Sequence, residues 1–143
     1  TVPRVTYTQP EVAAAGVSTS DLGAGMRVLT WEHAHVDRAV AEDRTAGVTR
    51  LVVDRRGRIA GVTIVGPRAG ESLAEVVLAI DRGLRPRDLA GVIHAYPTYS
   101  DGVWNAAIAE VQDSLRAPLV AHGVRLLGGV RRSWLDGRRR LGR

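Results

Sequence analysis

The stretch TRLVVDRRGRIAGVTIVG, residues 49–66, constrains the fold more than any other part of the chain. Two β-branched, apolar runs flank the charged, glycine-containing RRGR. Val, Ile and Thr suit a pleated strand, and a short glycine turn lets the chain reverse, so the stretch predicts an antiparallel hairpin. A hairpin alone is marginal in water and needs a layer to cover its apolar face. That layer follows at once. ESLAEVVLAIDRG, residues 71–83, puts Leu73, Val76, Val77 and Ile80 on one helical face. Ser72 and Glu75 have capping-box spacing, and Gly83 is a natural stop.

The remaining segments extend both layers. RVTYT alternates and reads as a first strand; EVAAAGVS, after Pro10, is open between strand and helix. STSDLGAGM reads as a short helix or turn, MRVLTWEHA as a strand and VDRAVAEDR as a solvated helical turn. RPRDLAGV is a second short helix with Pro86 near its start. TYSDGVWNAAIAEVQDSLRAP is a longer one, with Trp104, Ala107, Ile108, Val111 and Leu115 on one stripe and Pro118 ending or kinking it. Strands come first and helices second. The expected class is α+β: one antiparallel β-sheet covered on one face by helices. A chain of 143 residues is long enough for one such domain with a real core.

Several chemistries are excluded. The chain has no cysteine, so disulfides, thiolate catalysis and Cys-ligated metals are absent from it. No G-x-G-x-x-G follows a strand and no phosphate loop is present, so this chain alone is not expected to bind a dinucleotide. No apolar run is long enough to span a membrane, and TVPRVTYTQPEV has no signal-peptide pattern. The first residue is not Met, so the chain is expected to be processed or a fragment. His33 and His35, in WEHAHVD, form an H-x-H pair without an obvious third ligand; a solvated strand end is the simpler reading, and no metal is expected. Tyr7 and Trp31 read as core or interface aromatics.

Charge is uneven. Residues 1–115 carry twelve Arg against fourteen acids, whereas 116–143 carry eight Arg against one, so the net excess of +5 belongs to the tail. Every basic residue is Arg and Phe is absent, as a GC-rich coding sequence would give, so Arg here says little about bidentate recognition. The tail is open to three readings: an amphipathic segment on an anionic membrane, phosphate binding to nucleic acid, or a solvated terminus, the last being the plainest.

HAYPTYSD, residues 94–101, is the most chemical-looking segment. It gathers a histidine, two tyrosines and an acid around one proline. Thr98 and Asp101 also have capping-box spacing for the helix that follows, a purely structural alternative. A helix start and core explain nearly all of GPRAGESLAE, and no chemistry is expected there.

Three segments in order carry a resemblance. VPRVTYTQPEVAAAGVS has the form P-x-V-x-[FY]-T-x-P-E-[VI]-A-x-x-G. RLVVDRRGRIAGVTIVGPRAGESLAEVVLAI has a hairpin followed by G-x-x-x-x-G-x-x-A-x-E, and IHAYPTYSDGV has H-x-[HY]-P-T-x-S-[ED]. Together they resemble the C-terminal dimerisation domain of the pyridine nucleotide-disulfide oxidoreductases, the FAD/NAD-linked reductases that include dihydrolipoyl dehydrogenase, glutathione reductase and mercuric reductase. The likeness covers residues 2–111 and leaves 112–143 as an Arg-rich C-terminal extension.

The resemblance implies a homodimerisation domain of a larger cytoplasmic oxidoreductase, with FAD and NAD(P)H bound by domains missing from this chain. It implies that HAYPTYSD enters the partner subunit's active site, and that the chain alone is inactive, colourless and free of cofactor. In disulfide reductases a His precedes Pro-Thr and a Glu five positions on holds it. Here those positions are Tyr96 and Asp101, with Pro97 and Thr98 matching the motif. Tyr96 and Asp101 are the expected in-trans catalytic residues, and Tyr96 and Pro97 are expected to face the partner's FAD. A Tyr at this position is similar to the mercuric-reductase-like branch. A phenol does not shuttle protons near neutrality as imidazole does, and His94, two residues earlier in an extended run, is the possible substitute. The Tyr96–Pro97 bond is expected to be cis, as it usually is in the family. The competing function is a free-standing interaction module whose Arg-rich tail binds membrane or nucleic acid.

Overall fold

The computed structural model describes residues 1–116. The tail from residue 117 onward, and with it the effect of Pro118 and the membrane and nucleic-acid readings, lies outside the described residues. One compact unit runs Thr1–Val111; a second begins at Gln112, of which the last residues of a helix are described.

Five strands, β1 (Arg4–Thr6), β2 (Glu11–Gly16), β3 (Arg27–Glu32), β4 (Val48–Val53) and β5 (Ile59–Gly66), form one sheet in the order β1-β2-β5-β4-β3. Every neighbouring pair is antiparallel. EVAAAGVS is thus a strand, and β5 pairs on both sides with Ala13 and Thr49 opposite Ile64. The β4–β5 hairpin closes through Asp54, whose Oδ1 accepts the amides of Arg56 and Arg58, both at 2.8 Å. Gly57 supplies the positive φ of +78° that the turn needs. These amide bonds hold the Asp54 carboxyl below its usual range.

One sheet face carries Ala13, Ala15, Leu51, Val62 and Ile64 into the core. Burying such an aliphatic side chain contributes about 2 kcal/mol. Helix α2 (Ala69–Asp81) covers this face with Leu73, Val76 and Ala79. It ends in a paired cap: Gly83, at φ +63°, donates to Ile80 O at 3.0 Å, and Leu84 to Ala79 O at 2.9 Å. Its start differs from the capping-box expectation. The helix begins at Ala69, Ser72 lies inside it with its hydroxyl donating to the Arg68 carbonyl, and the first-turn Gly70 amide is capped by Glu11 from β2 at 3.1 Å. A distant carboxylate replaces the local cap.

Between β3 and β4 lie a single 3-10 turn, His33–His35, and helix α1 (Asp37–Ala41). Val36, Ala39 and Tyr99 form a second small core cluster with Trp31 against it. Tyr7 is exposed, so it is not a core residue. Helix α3 (Pro86–Ala90) starts at its proline as expected, and α4 (Asp101–Arg116) closes the described chain. The buried face of α4 is Gly102, Val103, Ala106 and Ala107, not the larger stripe read from the sequence; Ala107 belongs to the core, while Trp104, Ile108 and Val111 are half-buried and Leu115 is exposed. The reason is distance. A Cβ on Gly102 would sit 2.6 Å from Thr49 Oγ1, so the helix start approaches the sheet too closely for large side chains. No helix among the described residues is long and apolar enough to cross a membrane.

Candidate functional site

The segment from Val92 to Ser100 has no helix or strand, and its shape is set by side chains. His94 is its first anchor. Nε2 lies 2.7 Å from Glu75 Oε1 on α2, and Nδ1 lies 3.0 Å from the Val92 carbonyl. The ring also packs on Trp104, with centroids 5.6 Å apart. The second anchor is Asp101, 2% exposed at the start of α4. Its Oδ2 accepts the Thr98 amide at 3.0 Å, and Oδ1 lies 3.1 Å from Thr98 Oγ1. This is the amide half of a capping box, the structural role read from the Thr98–Asp101 spacing.

Between the anchors Tyr96 stands 67% exposed, followed by a cis bond to Pro97. Its hydroxyl donates to Asp37 Oδ2, at the first position of α1. That bond, with the carboxylate's charge second, pushes the Tyr96 phenol above its ordinary pKa. The group that holds Tyr96 therefore comes from α1, while both Asp101 oxygens serve Thr98. Tyr96 lines a cavity of about 230 Å³ with Trp31, His35, Asp37, Asp101, Trp104 and Asn105. Chemically, this side of the domain offers a neutral, outward-facing phenol on a pinned loop. The sequence reading brought together Tyr96 and Asp101, and both do line this cavity; it missed Asp37 and Glu75. Glu75 entered the sequence reading only through its capping-box spacing with Ser72.

Tyr99, three residues on, is a different case. It is buried, and its hydroxyl donates to Glu42 at 2.7 Å. Burial first, then that bond, raises its pKa.

The H-x-H pair divides. His33 is not a solvated strand end: it is fully buried, with Nε2 3.0 Å from Thr49 Oγ1. Cβ atoms on Gly47 and Gly66 would lie 2.5 and 2.6 Å from His33 Nδ1, so a loop glycine and the last glycine of β5 make the space for the ring. Burial lowers the His33 pKa, with Glu32 opposing weakly. His35 stays near the surface, where its carbonyl accepts Trp31 Nε1–H at 3.2 Å. Among the described residues no group of three His, Cys, Asp or Glu is gathered for a metal.

Among the described residues, Gly66 and Gly70 flank a strand-to-helix turn of the general kind that cradles a phosphate. It does not fit one. The space beside Gly66 is filled by His33, and the Gly70 amide is spent on Glu11.

Residues 2–107 match the family described as pyridine nucleotide-disulphide oxidoreductase, dimerisation domain. Dihydrolipoyl dehydrogenase of Vibrio cholerae is 39% identical over 110 residues, covering 74% of this chain and 23% of the relative. Dihydrolipoyl dehydrogenase 1, mitochondrial, of Arabidopsis thaliana is 39% identical over 112 residues, covering 76% and 22%. Among solved structures, LpdA from Mycobacterium tuberculosis superposes with a TM-score of 0.71 at 27% identity, over 76% of this chain and 24% of that one. The HOCl-induced flavoprotein disulfide reductase RclA from Escherichia coli gives 0.67 at 25% identity, over 71% and 24%. The chain spans less than a quarter of the length of these curated relatives.

Proposed function

Because this chain belongs to the dimerisation-domain family of the pyridine nucleotide-disulphide oxidoreductases, we propose that it is the dimerisation domain of an FAD-dependent NAD(P)H oxidoreductase. In that reading it pairs with a second copy and presents HAYPTYSD to the partner's active site, with FAD and NAD(P)H held by domains outside this sequence. The observation that carries the reading is the mounting of Tyr96: an exposed phenol between two anchors, His94 on Glu75 and Thr98 on Asp101. A residue fixed in this way but left facing outward is suited to act on something bound elsewhere. The described residues offer no phosphate cradle, so no step through FAD is drawn from this chain.

Within this reading Tyr96 orients the acceptor as a hydrogen-bonding phenol, with Pro97 beside it facing the partner's flavin. Asp101 acts through Thr98 as the cap that fixes the segment. His94, both of whose nitrogens are engaged, is an anchor and not a replacement acid/base. The mercuric-reductase-like placement rests on Tyr96 alone, and cytoplasmic location follows the same reading. The match over 2–107 gives no support to a free-standing interaction module. The test is Tyr96→Phe in the complete flavoprotein. Turnover with the electron acceptor should fall more than flavin reduction by NAD(P)H. Equal effects on both half-reactions, or a reading frame without flavin- and nicotinamide-binding domains, would overturn the proposal.

A further inference from the structure

Apart from the Ala95 carbonyl, which accepts Thr98 Oγ1–H at 3.2 Å, the backbone from residue 93 to 96 has little to hold it. Among the described residues none of these amides donates to a backbone carbonyl, and Ile93 and Tyr96 are both exposed. A chain with so few internal bonds should sample many conformers, yet its middle side chain, His94, is only 11% accessible. Three contacts converge on that ring: the Glu75 carboxylate, the Val92 carbonyl and the face of Trp104. The carboxylate only accepts, so the 2.7 Å contact is Nε2–H donating to Glu75 Oε1. A short hydrogen bond to a carboxylate is among the stronger local restraints a protein can make. Glu75 itself sits in the middle of α2, whose Leu73 and Val76 are locked in the core. It is a rigid base for a short arm.

We infer that Glu75 is a positioning residue for the Tyr96 segment, acting through His94. This rests on the reading of Tyr96 as the residue presented to a partner. The inference assigns function to a helix position that helix packing alone does not require, since Glu75 is half-buried beside the Leu73–Val76 face and is not among the core residues. His94 is two residues from Tyr96, so restraining its ring restrains the short stretch of backbone that carries the phenol.

The full 143-residue chain provides the test, through backbone order parameters at Ala95 and Tyr96 from nitrogen relaxation. Glu75→Ala and His94→Ala should each drop them from the rigid range near about 0.85 to below about 0.6. Val76 and Ala79 should stay rigid, and Glu75→Gln, whose side-chain oxygen can still accept from Nε2–H, should recover most of the order. Unchanged order parameters at Ala95 and Tyr96 in both alanine variants would overturn the inference; should Glu75→Ala fail to fold, His94→Ala decides from the loop side. In the complete flavoprotein, Glu75→Ala should lower acceptor turnover with Glu75→Gln rescuing it. If order is lost while turnover stands, the positioning role holds and the catalytic reading of Tyr96 falls.

Discussion

The Tyr96 hydroxyl ends on the Asp37 carboxylate, a contact between residues 59 apart in sequence that joins the exposed loop to the start of α1. A carboxylate accepting from a phenol, and repelling the phenolate, favours the protonated ring. Tyr96 therefore stays neutral through and above physiological pH. Asp37→Asn should move its ionisation to lower pH. Tyrosine ring-carbon NMR reads this directly, with Tyr96→Phe identifying the resonance and Tyr99 serving as the internal reference. A Tyr96 titration unmoved by Asp37→Asn would show that the contact does not form in solution.

His33 should make the fold acid-sensitive. Its folded pKa lies below the ordinary imidazole value of about 6.5, because burial disfavours the imidazolium. The unfolded chain thus binds a proton more readily, so the contribution is fully present above about 6.5 and shrinks as pH falls through that value toward the folded pKa. Urea midpoints should decline over this window in the native chain. His33→Gln, which has no titrating group, should be less stable at neutral pH but flatter below it. Equal slopes for the two proteins would remove His33 as the cause.

The space around that ring gives a third expectation. A methyl on Gly47 would lie 2.5 Å from both His33 Nδ1 and the Val65 carbonyl oxygen. One of those neighbours is backbone of the central strand and cannot swing aside. Gly47→Ala should therefore cost about 3 kcal/mol, the upper part of the overpacking range. Gly57→Ala meets no atom but must hold φ +78°, so it should cost about 1 kcal/mol from backbone strain alone. Chemical denaturation of both variants ranks the two effects, and the reverse order would contradict the packing account.

The parts of this fold that could be read from sequence are those fixed by near neighbours. The β4–β5 hairpin, the Gly83 stop and the Pro86 start each depend on a few adjacent residues. The parts that could not are long-range. His33 is buried only because Gly47, Gly66 and Gly102 leave room from three separate segments, and nothing in HAH announces that. Ser72 and Glu75 match a capping box, yet Glu11 takes the cap from another strand and frees Glu75 for His94. On α4 two overlapping apolar stripes fit the helical period equally well. The approach of Gly102 to Thr49 selects the one with the smaller residues. The site residues Tyr96 and Asp101 stood out from their motif, whereas Asp37 lies in a charged turn with no signal of its own.

That choice of stripe leaves the larger one for something else, which is the basis of the final expectation. With Val103, Ala106 and Ala107 turned into the core, Trp104 and Ile108 lie along the side of α4 and remain half-buried. Leu78 on α2, and Val92 and Ile93 at the start of the loop, are exposed as well. Single exposed apolar residues are ordinary, but several side chains of this size on one small domain leave apolar surface that a partner would cover. Self-association about a two-fold axis is the common way to cover such a surface, and an obligate contact of this kind buries on the order of 2,000 Å² or more. A chain of 15.3 kDa should therefore sediment as a particle of twice that mass at micromolar concentration. Ile108→Asp puts a charge into the stripe without touching the His94–Trp104 stack, and should give a folded monomer. Trp104→Asp breaks the stack too, and should give monomer or aggregate. A native chain that sediments as a monomer across the micromolar range would defeat the dimer, and would mean that α4 carries its large side chains for a contact made outside this chain's own copies.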